Sequence, residues 1–301
     1  MGGRQRALVT GATGFIGSHL VRRLVGDGWH VECVARPGSD LSALPAEAVC
    51  RVHDGSTRTL TDIVTESTPH VVFHLASLFI SEHTAEQVVP LVASNVLFGA
   101  QLLEAMSSAG VSALVNTGTS WQHFDDAECE PVNLYAATKQ AFEDIAGYYV
   151  SARGLSMLTL ELFDTYGPRD PRPKLFKLLA DTAASGTTLQ MSAGAQLIDL
   201  VYIDDVIDAF LRAADLVRCD TYGQASSYSV SATERISLRD LVELYAQIAG
   251  VNVRVNWGGR QYRQREVMVP ATRIPVLPGW RPRVGLQDGI ARITHTQHME
   301  A

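Results

Sequence analysis

Ala7-Leu8-Val9-Thr10-Gly11-Ala12-Thr13-Gly14-Phe15-Ile16-Gly17-Ser18-His19-Leu20 decides the fold. It begins as an apolar run of the kind that forms a buried parallel strand. It then breaks into three glycines and continues with Phe15, Ile16, Leu20, Val21 and Leu24 at helical spacing. Strand, glycine turn and helix in that order form the context of a dinucleotide-binding turn. Gly11 permits the tight turn, Gly14 lets the backbone approach a pyrophosphate, and Gly17 lets the helix pack close to the strand. The first-turn amides and the helix dipole then face the anion. The expected cofactor contacts here are Gly11, Thr13, Gly14, Phe15, Ile16 and Gly17.

Outward from this turn, strands and helices alternate. His30–Ala35 reads as the second strand, and Arg36 follows it. An acidic side chain at this point would hold the ribose hydroxyls of NAD, whereas a guanidinium matches a 2′-phosphate in charge and shape. The expectation is NADPH, with NADH kept open because Asp40 is near enough to bend back to a ribose. Val49–Val52 is a short strand, and Asp54 beyond it is placed to reach an adenine. Val71–Ala76 is a further strand, whose end at Leu75 and Ala76 offers small residues for a cofactor to lie against; His74 within it reads as structural. A long helix is expected over 85–109. Val111–Val115 is the next strand and runs into the hydroxyl-rich Asn116-Thr117-Gly118-Thr119-Ser120-Trp121. Ligands of open α/β sheets bind beyond the carboxyl ends of the strands, where these hydroxyls lie.

Tyr135 and Lys139 are four residues apart on the helix that follows and share one face. A tyrosine of ordinary pKa is a poor acid at neutral pH, and a nearby ammonium would stabilise its phenolate. Lysine is scarce in this chain, present only as Lys139, Lys174 and Lys177. Beyond Asp164-Thr165-Tyr166-Gly167-Pro168 the alternation weakens. Leu197–Ile203 is strand-like, Asp204-Asp205 reads as the cap of a helix over 206–217, and Arg260, Arg263 and Arg265 form a basic run that either clamps a diphosphate or is a solvated face. The expected division is a dinucleotide-binding domain over 1–167, with 198–217 returning to it, and a smaller lobe of 168–197 and 218–301.

Composition bounds the function. The 301 residues can bury a large core, and a net charge of −7 argues against a nucleic-acid or anionic-membrane surface. No apolar run reads as a membrane span, and Met1–Arg6 holds no apolar leader. Cys33, Cys50, Cys129 and Cys219 lack metal or redox spacing, so reduced thiols, no metal and a cytoplasmic protein are expected.

Taken together, Gly11-x-x-Gly14-x-x-Gly17, Val72-Phe73-His74-Leu75-Ala76, Asn95, Tyr135-x-x-x-Lys139, Tyr166-Gly167-Pro168, the Asp199–Asp205 stretch and Gly279-Trp280-Arg281-Pro282 resemble the extended short-chain dehydrogenase/reductases. More narrowly, Asn116–His123 with Leu134–Lys139 resembles bacterial reductases of nucleotide-linked 4-keto-6-deoxyhexoses. The resemblance implies an α/β Rossmann fold, a doubly wound parallel sheet with a smaller C-terminal substrate-binding lobe. It implies Tyr135 as proton donor to the keto oxygen, Lys139 on the nicotinamide ribose, and Asn95 at the cofactor. Thr119 is the implied catalytic hydroxyl, with Ser120 and Thr117 as alternatives. Ser120, Trp121 and Arg263 would contact a nucleotide-diphosphate sugar, and two long helices would form a homodimer. Ile198 stands where the family often has Arg, and Asp164 where Asn is expected, so the phosphate contacts differ. Ser120 and Trp121 after Thr119 lack the acids of a 4,6-dehydratase. A reductase using NADPH is therefore expected, with an NAD-retaining epimerase as the alternative; a non-catalytic cofactor sensor is disfavoured by the presence of both Tyr135 and Lys139.

Overall fold

The computed structural model describes residues 4–219, 224–232 and 234–300. The first half alternates β1 (Arg6–Thr10), α1 (Phe15–Gly26), β2 (His30–Ala35), β3 (Val49–Val52), α2 (Thr57–Ser67), β4 (Val71–His74), α3 (Val88–Val92), α4 (Phe98–Ser108), β5 (Ala113–Thr119), α5 (Leu134–Arg153) and β6 (Ser156–Leu162). The second half contains β7 (Asp164–Tyr166), α6 (Leu175–Ser185), β8 (Thr188–Met191), β9 (Leu197–Tyr202), α7 (Ile203–Cys219), β10 (Ala225–Val230), β11 (Arg235–Ser237), α8 (Leu238–Ala249), β12 (Arg254–Trp257) and α9 (Leu286–Glu300).

The central sheet has seven parallel strands in the order β10-β6-β5-β4-β1-β2-β3. This is the doubly wound Rossmann arrangement expected from the sequence. Strand order reverses between β1 and β4, and such a reversal opens a crevice for a ligand. The pleat sends alternate residues to two separate cores. Ala7 and Val9 of β1 join the layer of α1 and α7, while Leu8 joins the layer of α2, α4 and α5. A third core of Leu179, Leu238, Leu241, Val242, Tyr245 and Ile290 holds the lobe together.

Several boundaries differ from the sequence reading. β10 lies within the range assigned to the lobe yet pairs with β6 in the central sheet. Its sequence, Ala-Ser-Ser-Tyr-Ser-Val, suits a half-buried edge strand and carries no apolar run to announce it. β9 joins β11 and β7 in a small separate sheet, while its end at Val201 and Tyr202 and the whole of α7 pack onto the Rossmann layer. α7 starts at Ile203, so Asp204 and Asp205 lie in its first turn rather than capping it. Asp205 instead accepts from Val284 N at 2.9 Å, and its carbonyl accepts from the Trp280 indole at 2.9 Å, which anchors the Gly279–Pro282 motif on α7.

The long helix expected over 85–109 is one run of mixed type. A 3₁₀ turn (Ala85–Gln87) leads into α3, a π turn (Ala93–Leu97) follows, and then comes α4. This run is long and apolar enough, by length and composition alone, to cross a membrane, which the sequence reading did not anticipate. One of its faces, with Leu91, Leu102, Leu103 and Met106, is buried in the protein, while Val88, Val89, Val92 and Leu97 are exposed.

Candidate active site

The glycine turn is built by backbone crowding. Gly11 has φ +69°, and a Cβ there would lie 2.5 Å from Ala76 N. A Cβ on Gly17 would lie 2.1 Å from the Gly11 carbonyl. Gly14 caps α1 and, having no side chain, makes no side-chain cap bond to the first-turn amides. Thr13 is exposed beside it. The Phe15 side chain is buried in the core with the Arg172 guanidinium 4.6 Å from its ring centroid, which leaves only its backbone to face a ligand. Thr10 Oγ1 accepts from Ala76 N at 3.2 Å and meets His74 Nδ1 at 2.8 Å, tying the ends of β1 and β4 together. His74 is fully buried among Phe98 and Phe142, and burial drives its pKa down to about 3, a neutral structural imidazole. The cradle fits a dinucleotide phosphate.

At the outer edge, Arg36 is exposed past the end of β2, and among the described residues its side chain has no hydrogen bond or ion pair. Asp54 is exposed too; it accepts from Ser56 N at 2.9 Å, and hydrogen bonds from Ser56 hold its carboxyl down at about 2.

A cleft of about 1280 Å³ runs from the sheet into the lobe. Ile16, Leu75, Tyr135 and Lys139 line it from the nucleotide side, with Thr119, Ser120 and Trp121 at the end of β5 and Arg263 from the lobe. β5 extends through Thr119, four residues further than expected, so Thr117 and Thr119 point to one face of the sheet. Their hydroxyls differ. Thr119 Oγ1 accepts from Trp121 N at 3.3 Å as the cap of a 3₁₀ turn, whereas the buried Thr117 Oγ1 has no partner among the described residues.

Tyr135 and Lys139 follow Asn133, whose side chain caps α5 by accepting from Ala136 N at 2.9 Å. Burial raises the Tyr135 hydroxyl to about 12 against the lowering pull of a Ser77 hydrogen bond and the Arg172 charge. Burial also brings Lys139 itself down to about 8, partly offset by Glu143. Two buried titratable groups are thus held in one cleft.

Asn95 is not at a ligand surface. It is 2% exposed inside the π turn, and its amide donates to Leu78 O at 3.0 Å and Thr138 Oγ1 at 2.9 Å. Its oxygen accepts from Leu78 N at 2.7 Å and Ser77 Oγ at 3.3 Å. These contacts use the amide's donors and acceptors, so its side chain positions the loop after β4 instead of contacting a cofactor. On the lobe side, Ile198 packs into the lobe core, and Asp164 is met by Lys174 at 3.5 Å. Arg263 lies 5.6 Å from the Trp121 ring centroid. Phe79 and Arg172 line the same cleft and were not anticipated; an aromatic residue just past a strand end was the available signal for Phe79.

The model of the NAD dependent epimerase/dehydratase family matches residues 7–225. The chain belongs to that family. This family member is 29% identical to a UDP-glucose 4-epimerase of Mycolicibacterium smegmatis over 95% of its own length and 96% of the relative. It is 28% identical to a CDP-abequose synthase of Yersinia pseudotuberculosis over 88% of its length and 91% of the relative. Among solved structures it superposes on a UDP-glucose 4-epimerase of Thermus thermophilus in complex with NAD, with TM-score 0.85 and 26% identity over 99% of this chain and 100% of that one. It is thus an extended short-chain dehydrogenase/reductase of the nucleotide-sugar class, a group of nicotinamide-dependent enzymes.

Proposed function

We propose that the protein reduces the 4-keto group of a nucleotide-diphosphate 4-keto-6-deoxyhexose with NADPH. The observation that carries this reading is Arg36, an exposed guanidinium without a side-chain partner among the described residues, where a carboxylate would otherwise select the unphosphorylated ribose. Gly11, Thr13, Gly14, Ile16 and Gly17 with the Phe15 backbone would hold the pyrophosphate, Leu75 and Ala76 would lie on the nicotinamide side, and Asp54 would meet the adenine. The nicotinamide, when bound, supplies hydride to the carbonyl carbon. Tyr135 donates its proton to the carbonyl oxygen as charge develops there. Its raised pKa keeps it protonated at neutral pH, and Lys139, holding the nicotinamide ribose, stabilises the tyrosinate that results. The hydroxyl assigned to the same oxygen is that of Thr117, which lines the cleft and has no partner among the described residues, while Thr119 caps its turn. Ser120, Trp121 and Arg263 face the sugar nucleotide.

The CDP-abequose synthase likeness agrees with this reading. The second reading, an epimerase that retains NAD and returns hydride to the opposite face, is favoured by the equally close epimerase relative. Exposed Val88, Val89, Val92 and Leu97, with Tyr148 on α5, support a homodimer through these helices, and unpaired cysteines support a reducing, cytoplasmic setting. The deciding experiment mixes the purified protein with dTDP- or CDP-4-keto-6-deoxyhexose and either reduced cofactor. Consumption preferring NADPH is expected; no consumption, with NAD carried through purification, moves the assignment to the epimerase. Light scattering on a sizing column tests the dimer.

A further inference from the structure

Phe79 is a large apolar side chain left 50% exposed in the cleft. Its ring meets Tyr135 edge-on, with centroids 4.9 Å apart at 78°, and Trp121 at 5.7 Å. The Lys174 ammonium lies 5.8 Å from the same ring. The loop that carries Phe79 is pinned at both ends. Asn95 grips both backbone groups of Leu78 at 2.7 and 3.0 Å, and Asn133, the cap of α5, donates to Ser81 O at 2.9 Å. The ring is therefore held in place before any ligand arrives, which lowers the entropic cost of using it as a contact surface. An aromatic face fixed beside the proton donor and open to the cleft suits an apolar ligand face. The C–H face of a deoxygenated hexose is such a surface, whereas a ring hydroxyl pressed against Phe79 would lose water without gaining a partner.

We infer that Phe79, backed by Trp121, is a specificity-determining platform that covers one face of the substrate's hexose and leaves the opposite face of its ketone as the one that is reduced. The inference rests on the nucleotide-sugar reductase reading and extends it to product stereochemistry. An epimerase, by contrast, needs both faces of the ketone to be presented in turn, and a fixed platform opposes that.

The test compares wild type, Phe79→Ala and Phe79→Leu by calorimetric titration with dTDP and with a dTDP-6-deoxyhexose, NADP being present. Wild type is expected to bind the sugar nucleotide about tenfold more tightly than the diphosphate alone. Phe79→Ala should erase that gap while NADPH affinity stays within about twofold, and Phe79→Leu should leave part of it; if the alanine variant does not fold, the leucine variant decides. A gap that survives in the variant, or is absent in wild type, overturns the platform. Product configuration gives the second readout: one C4 epimer by NMR from wild type and a mixture from the variant, with a single epimer from both overturning the facial role. Wild type that consumes no reduced nicotinamide yet keeps a Phe79-dependent binding gap refutes the reductase reading and supports the platform.

Discussion

The two walls of the cleft are built by different means. The nucleotide wall is backbone: Gly11 and Gly17 leave no room for a Cβ, Gly14 would bring one to 3.3 Å of the Gly11 carbonyl, and Thr10 and His74 brace the strand ends behind them. The substrate wall is side chain: Phe79, Trp121, Lys174 and Arg263 meet across gaps that water or ligand can share. A backbone wall tolerates almost no substitution and so keeps one ligand chemistry. A side-chain wall can be rewritten residue by residue, as Ile198 and Asp164 illustrate here, and one fold can thereby serve several sugars.

The sharpest way to break the nucleotide wall is Gly17→Val. Its Cβ would lie 2.1 Å from the Gly11 carbonyl, a backbone atom with nowhere to go. NADPH binding should be lost entirely in titration, with a marked fall in the unfolding temperature. Gly26→Ala, with nothing within 4 Å of the new Cβ, is the control and should stabilise by about 0.5–1 kcal/mol.

Where the walls meet, Tyr135→Phe should lower turnover by about 10²- to 10⁴-fold while the NADPH dissociation constant is unchanged. Unchanged turnover would remove Tyr135 from the acid role. The two threonines separate next. Thr117→Val should cost about 10²-fold in kcat. Thr119→Val should instead cost about 1 kcal/mol of stability through its lost cap and keep most activity. The reverse pattern in steady-state rates and thermal melts would restore Thr119 as the catalytic hydroxyl.

These contrasts explain what could be read from residues alone. The glycine turn is legible because only glycine fits, and the Tyr135–Lys139 pair because helical spacing fixes which side chains share a face. The π turn at 93–97 is not legible: it sits inside an apolar pattern that looks like uninterrupted helix, yet it turns Asn95 inward to grip Leu78. β10 hides because an edge strand needs no apolar run. Phe79 hides because its meaning depends on Tyr135, more than fifty residues on, folding beneath it.

Arg36 tests the outer rim of the nucleotide wall, where an exposed side chain replaces backbone. Arg36→Ala should reduce the preference for NADPH over NADH by about tenfold in kcat/KM, with the change carried by NADPH. A preference that does not move would leave selection to the neighbouring backbone and to Asp40.

The smallest effect expected concerns the fastening of the substrate wall to the sheet. His123 follows the 3₁₀ turn that carries Trp121, and its Nε2 lies 2.7 Å from Glu161 Oε2 on β6 while Nδ1 lies 3.0 Å from Ala127 O. Both ring nitrogens face acceptors, an arrangement only the imidazolium satisfies fully. Burial pulls the His123 pKa down, but the hydrogen bond to Glu161 and the charge of that carboxylate outweigh this and raise it above 6.5. Glu143 on α5 faces the same cluster and is itself raised to about 7, chiefly by burial and partly by the charge of Glu161, with Lys139 opposing. A folded-state pKa above the unfolded value means that the folded protein binds the extra proton, so stability falls as pH rises. The contribution of His123 is therefore fully present below pH 6.5 and lost as pH climbs through its folded value. Thermal unfolding of wild type across that range should show this decline, and His123→Asn, which cannot titrate, should reduce it to the part that Glu143 contributes. Hydrogen exchange should place the loosening in 120–130 and leave the glycine turn as protected as before; equal loosening of both would mean that the walls are fastened as one unit.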